Sequence, residues 1–160
     1  MHQAAGGGAS GFSATILRMK KTSYPTPQDA EAAFYEALET GDFEAMMEVW
    51  ADDEEVVCVH PGGPRISGYE QVRESWSRIL SSGQRMKLQL SEPVYLQSMM
   101  VALHSVHEVI AVASDATRQH RVITTNVYLR TSEGWRMVAH HSSAAPRSER
   151  PANETPKTLH

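Results

Sequence analysis

His60 stands directly before Pro61, a position biased toward extended backbone, at the end of the β-branched run Val56-Val57-Cys58-Val59. An imidazole there, with an unperturbed pKa of ~6.5, can exchange protons near neutral pH and serve as general base or acid. Cys58 lies two residues back on the same strand face. The bland alternative for His60 is an imidazole bonded to a carbonyl of the turn that follows. Asn126 lies inside an apolar strand, where its amide needs partners whether or not a ligand is present. Alternation puts it on one face with Thr124 and, through the next hairpin, with His141. Such a cluster either orients a carbonyl or hydroxyl ligand or closes on itself as a hydrogen-bonded network. With a ligand present, the chemistry would be proton shuttling of the isomerase, cyclase or dehydratase type. His60 would move the proton while Asn126 or His141 holds the oxyanion.

The spacing of the other polar residues argues against a metal. His104 and His107 are three apart, which in a strand sends them to opposite faces, and the adjacent His140 and His141 diverge for the same reason. Only a long-range pairing of His60 with His141 would remain, so no metal is expected. Asp52 and Asp53 follow a helix end and read as solvated loop residues. No glycine-rich phosphate cradle follows a strand, and Gly62-Gly63 between two prolines reads as a turn, so no organic cofactor is expected either.

These residues must be positioned by helices first and a sheet last. Thr26-Pro27-Gln28-Asp29 supplies a cap, a first-turn proline and an acid, and Ala30, Ala33, Phe34, Ala37 and Leu38 repeat with helical period before Gly41. Asp42 caps a second short helix carrying Phe43, Met46, Met47 and Trp50, and a third follows Gly68 with Tyr69, Val72, Trp76, Ile79 and Leu80 on one side. Strand patterns then cover residues 86–96, 99–113, 121–131 and 135–143, joined by short polar links, an antiparallel meander in an α+β fold. The link Thr131-Ser132-Glu133-Gly134 sets Arg130 opposite Trp135. One face then carries Thr124, Asn126, Tyr128, Trp135, Met137, Ala139 and His141; the other carries Ile123, Thr125, Val127, Leu129, Val138 and His140. Phe34, Trp50, Cys58, Trp76, Tyr128 and Met137 are expected both to pack the core and to wall a small, partly apolar pocket. Since three helices cover only one side of a sheet that is apolar on both, a homodimer through the second face is expected.

At 160 residues there is room for one domain with a substantial core, and the balance of 15 basic against 19 acidic residues, net −4, leaves no basic face for nucleic acid. The single cysteine excludes an intrachain disulfide and fits a cytoplasmic setting, and the apolar runs are too short to span a membrane. Residues 1–25, with Gly6, Gly7, Gly8 and Gly11, read as a disordered leader, within which Met19-Lys20-Lys21-Thr22 looks like an ordinary start. Residues 26–143 form the expected domain, and residues 144–160, with Pro146, Pro151 and Pro156, a flexible tail.

Taken in order, Gly41-Asp42-Phe43-Glu44-Ala45, Trp50-Ala51-Asp52-Asp53, His60-Pro61-Gly62-Gly63, Gly68-Tyr69-Glu70-Gln71-Val72 and Gly134-Trp135-Arg136-Met137 resemble the SnoaL-like branch of the nuclear transport factor 2-like superfamily. The resemblance covers about Pro27 to Ser143 and implies a cone-shaped fold, three helices against a curved antiparallel sheet. It spans isomerases, cyclases, dehydratases, hydrolases and non-catalytic association or ligand-binding modules. By resemblance to the ketosteroid isomerases, His60, or in a gapless alignment Cys58, takes the place of the family's general base, Asn126 that of an acid donating to the oxyanion, and His141 that of a pocket aromatic. The family's catalytic and supporting tyrosines fall on Phe34 and Trp76, which lack a phenol. The ending His140-His141-Ser142-Ser143-Ala144 is similar to that of the metal-free iota-class carbonic anhydrases, which implies carbon dioxide hydration as a further alternative.

Overall fold

The computed structural model describes residues 21–147; residues 1–20 of the leader expected at 1–25 and residues 148–160 of the tail expected at 144–160 lie outside the described residues. The end of the expected leader is ordered. Tyr24 is buried, bridges Gly134, and lies under the Arg136 guanidinium at 5.0 Å from its ring centre. Arg136 also donates to the Thr22 carbonyl at 2.6 Å. Gly134, at φ 98, permits this docking, because a Cβ there would fall 2.6 Å from the Tyr24 carbonyl oxygen. Residues 21–25 therefore pack as part of the domain, and Ala144, assigned from sequence to the tail, closes the last strand.

Helix α1 (Pro27–Thr40) opens on a reciprocal capping box, Thr26 Oγ1 accepting from Asp29 N at 3.1 Å and the Asp29 carboxylate accepting from Thr26 N at 3.0 Å. It stops at Gly41, whose φ of 69 is the left-handed geometry glycine adopts at least cost. Helix α2 (Phe43–Val49) is capped by Asp42, and strands β1 (Val57–Val59) and β2 (Arg65–Ser67) form a small hairpin before α3 (Tyr69–Leu80). Then come β3 (Met86–Gln97), β4 (Val101–Val112), β5 (Asp115–Thr131) and β6 (Gly134–Ala144). Strand β2, which has only three residues after a proline-glycine turn, carried no alternation long enough to announce itself.

The six strands form one sheet in the order β2-β1-β6-β5-β4-β3, antiparallel except for the parallel pair β1 and β6. That pairing brings the His60 end of β1 beside the end of the last strand, which the meander alone did not predict. Arg130 faces Trp135 as the turn requires. Beyond it, however, a bulge leaves Val138 without an opposite residue: Tyr128 pairs Met137, whereas Val127 pairs Ala139. Because side chains alternate with period two, one extra residue reverses every side chain past it. His140 therefore pairs Asn126 and is buried, while His141 pairs Thr125 and is exposed, the reverse of the placement expected from uninterrupted alternation.

The helices fill the concave side. Phe34, fully buried on α1, meets the Trp76 ring edge-on at 5.5 Å, and Met46, Val49 and Trp50 of α2 and Val72 of α3 complete the packing against Ala102, Val106, Tyr128 and Met137. Truncating Phe34 to alanine in such a core costs roughly 3–5 kcal/mol.

Candidate functional site

The concave face of the sheet carries a row of polar groups inside the apolar core. Alternation along β4 turns Ala102, His104, Val106 and Glu108 inward, and along β5 Val122, Thr124, Asn126 and Tyr128. On β6 the bulge adds His140 and Ser142 to the same face. Helix α1 contributes Glu31 and Tyr35, one turn apart along the flank of its apolar stripe.

Six of these groups form one hydrogen-bonded chain. Asn126 Nδ2 donates to the Tyr35 hydroxyl at 3.3 Å, so Asn126 Oδ1 is left to accept from His140 Nδ1–H at 2.7 Å. The remaining nitrogen, Nε2, then accepts from the Ser142 hydroxyl at 3.2 Å, and Ser142 in turn pairs with the Thr124 hydroxyl. At the other end Tyr35 donates to Glu108 Oε1 at 2.6 Å. Every bond points the same way, from Thr124 through Ser142, His140, Asn126 and Tyr35 to the Glu108 carboxyl. Burial pushes the Glu108 pKa up against the opposing bond from Tyr35, and it pushes His140 down to about 3, helped by the neighbouring His60 and His141. The environment thus shifts the carboxyl at one end toward its protonated form and keeps the imidazole in the middle neutral.

His60, half-buried at the end of β1, points into the same face. Its Nε2 lies 2.6 Å from Ser75 Oγ on α3, its ring meets Trp76 edge-on at 4.8 Å, and His140 lies 6.3 Å away. It bonds to a helix hydroxyl and not to the following turn, and burial first, then Arg78, lowers its pKa. Cys58 shares the face, 3.7 Å from His60 Nε2, yet it is fully buried and its thiol is pushed up to about 12. At neutral pH it stays protonated, so of the two candidates for the base position His60 is the one that can exchange a proton.

A second cluster adjoins the chain. His104, directly across from Asn126, engages Glu31 Oε2 through Nδ1 at 2.7 Å, and the Tyr95 hydroxyl donates to the other Glu31 oxygen at 3.3 Å. His104 Nε2 and the indole N–H groups of Trp50 and Trp76 are buried without a protein partner.

Of the residues expected to line a pocket, Phe34, Trp50, Cys58, Trp76, Tyr128 and Met137 are all packed core, none more than 3% exposed. The open space lies further out. A depression of ≈ 680 Å³ is lined by Pro61, Ile110, Val122, Ala144, Arg121 and Arg147 among others, and a neighbouring one of ≈ 340 Å³ by His107, Glu108, Arg121, Val122 and Pro146 among others. Ile110, Val122 and Ala144 are each two residues beyond Glu108, Thr124 and Ser142 on the same strands, and Pro61 adjoins His60. The mouth of the cone is thus one side-chain row, about 7 Å, from the polar chain.

Asn126 is placed as expected, whereas His141 is turned outward and His140 occupies its intended place. A buried phenol does reach this face, from Tyr35, one residue after Phe34. Glu108 and Tyr35 escaped sequence reasoning. Their signals were there: a glutamate on the alternation Ala102-His104-Val106-Glu108, and Glu31 and Tyr35 at i, i+4 beside an apolar stripe. Among the described residues no three His, Cys, Asp or Glu side chains gather as metal ligands would, and no helix is long and apolar enough to cross a membrane.

Three helices held in the concavity of a curved, mainly antiparallel sheet make this a nuclear transport factor 2-like protein. More narrowly, the chain belongs to the SnoaL-like domain family, which matches residues 28–147. It is similar to a candidate calcium/calmodulin-dependent protein kinase type II association domain from Thiobacillus denitrificans, with 35% identity and a TM-score of 0.72 over 78% of this chain and 99% of that one. It is also similar to a candidate dehydratase of the NTF2-like family from Streptomyces avermitilis, with 33% identity and a TM-score of 0.68 over 73% of this chain and 91% of that one. A candidate ketosteroid isomerase from Parabacteroides distasonis shares the fold at 20% identity and a TM-score of 0.63, over 81% of this chain and 99% of that one. No curated protein matches it.

Proposed function

We propose that the protein binds a small, partly apolar molecule in the cone-mouth depression and moves a proton on it without a cofactor, as an isomerase, cyclase or dehydratase does. The observation that carries this reading is the one-directional chain ending on Glu108, one row behind the depression, with His60 at its edge. A buried neutral imidazole and a carboxyl whose pKa is raised by burial are shifted in opposite directions, as the members of an acid–base pair are. His60 takes or returns the proton. Glu108 or Asn126, backed by Tyr35, stabilises the oxyanion. The dehydratase assignment of the Streptomyces relative supports the same class of chemistry. In this reading the protein works in the reducing cytoplasm.

The test is exchange of hydrogens next to a carbonyl. In D2O, with proton NMR as the readout, 4-oxopentanoate (levulinate) and its methyl ester should exchange faster with wild-type protein than in buffer. The increment should be lost in His60→Ala and reduced in Glu108→Gln. Exchange at the buffer rate for both compounds with folded wild-type protein defeats the proton-transfer reading.

A second reading has its own observation: a non-catalytic association module. The convex face and the β3–β4 end expose Val94, Leu96, Val101 and Leu129, with Met99 80% exposed at the tip. A contiguous apolar strip of this kind is suited to a second copy of the chain, and the Thiobacillus relative is described as an association domain. Both readings include a homodimer through this face, and turnover separates them.

A further inference from the structure

Resting on the proton-transfer reading, we propose that the cone mouth selects a small organic monoanion, a carboxylate carried on an apolar body. The chain as a whole is acidic, with 19 Asp and Glu against 15 Lys and Arg, yet among the described residues Arg121, Arg147 and His120 line the larger depression and no carboxylate does. The opposite wall, formed by Ile110, Val122, Ala144 and Pro61, is apolar. Arg121 also lines the smaller depression, whose two acids are engaged elsewhere: Glu108 holds Tyr35, and Glu92 lies 3.9 Å from His107. Among the described residues the ion pairs are those of Arg78, His104 and His107, and no described carboxylate pairs with Arg121 or Arg147.

The backbone explains why the charge collects there. Strand β5 runs past the end of its pairing with β6 at Val122, so residues 119–121 extend beyond the end of β6 while still paired with β4. The segment after β6 continues alongside them through the bond from Ala145 N to the Arg121 carbonyl at 2.9 Å, and Arg147, two residues on, lines the same depression. Two guanidinium forks on one rim suit a carboxylate, whose two oxygens accept paired N–H donors. A ligand anchored there lays its apolar part over Val122 and Ile110, toward His60 and the buried carboxyl of Glu108. The rim sets which molecules enter, and the polar chain acts on what the anchor presents.

Matched probes test this directly. Levulinate and methyl levulinate share a ketone and differ in charge, and their dissociation constants follow from NMR titration of wild-type protein at low salt. Levulinate should bind roughly tenfold tighter, the order expected of one or two partly exposed ion pairs. The preference should shrink in Arg121→Gln and Arg147→Gln, vanish in the double variant, persist in Arg121→Lys, and fall as salt is added. Both arginines are exposed, so the fold should survive, and circular dichroism confirms it. Equal affinity, absence of binding by either probe, or a preference that survives in the double variant overturns the proposal. Its failure differs from that of proton transfer. A charge preference without exchange removes only the chemistry, whereas equal exchange of both probes without preference removes only the anion.

Discussion

Replacing His140 with glutamine probes the centre of the polar chain, because glutamine keeps an amide donor for Asn126 and an acceptor for Ser142 but cannot titrate. In the folded protein burial holds the His140 pKa at about 3, against an ordinary value of 6.5 for the unfolded chain. The lowered value means that, between these limits, the unfolded state binds a proton that the folded state refuses. Stability from this group is therefore complete above about pH 7 and is lost progressively as pH falls, until it levels off near the folded pKa. At about pH 5 the unfolded state gains RT ln(1 + 10^1.5), roughly 2 kcal/mol. His60, also lowered by burial, adds a loss of the same sign on acidification. Glu108 acts oppositely, since its raised pKa makes the folded state the stronger proton binder and costs stability as pH rises. Both groups remain in the variant, so the difference between the two proteins isolates His140. Urea unfolding of wild-type protein and His140→Gln between about pH 7.5 and about pH 5 should show the gap shifting by roughly 2 kcal/mol in favour of the variant at the acidic end. A gap that does not change with pH would refute the placement of His140 as a buried neutral imidazole.

Two further substitutions test the neighbouring parts. Tyr35→Phe removes the donor to Glu108 and the acceptor of the Asn126 amide, leaving a buried N–H unpaired; urea unfolding at neutral pH should show a loss of about 1–3 kcal/mol. An unchanged midpoint would mean that the Tyr35 hydroxyl is not holding the chain together. Leu129→Arg places a charge on the convex face, where Leu129 is 38% exposed and Val101 is its cross-strand partner. Light scattering should find wild-type protein dimeric and the variant monomeric, and equal masses would count against association through this face.

Local chemistry made most elements legible in advance. The capping box at Thr26, the left-handed stop at Gly41, the Asp42 cap and the β5–β6 turn each act within a few residues, so the sequence contains both partners of every contact that defines them. Alternation located Asn126 on the buried face of β5 for the same reason. Partners distant in sequence were harder to read. Tyr35 and Glu108 are 73 residues apart, and nothing local announces that a phenol on a helix flank will meet a carboxyl in the fourth strand.

The sequence by itself determined which residue types were available for proton chemistry and which strands and helices would carry them. The tertiary structure decided which of two adjacent histidines faces inward, because the bulge at Val138 depends on how β6 is paired on β5, and one unpaired residue inverts a period-two pattern from that point on. It also decided where a ligand can enter. Volume was the reason: Phe34, Trp50 and Trp76 are large enough to fill the centre of the cone, and the depressions found among the described residues lie at its rim, where β5 outruns β6 and the chain after β6 continues along Arg121 to Arg147.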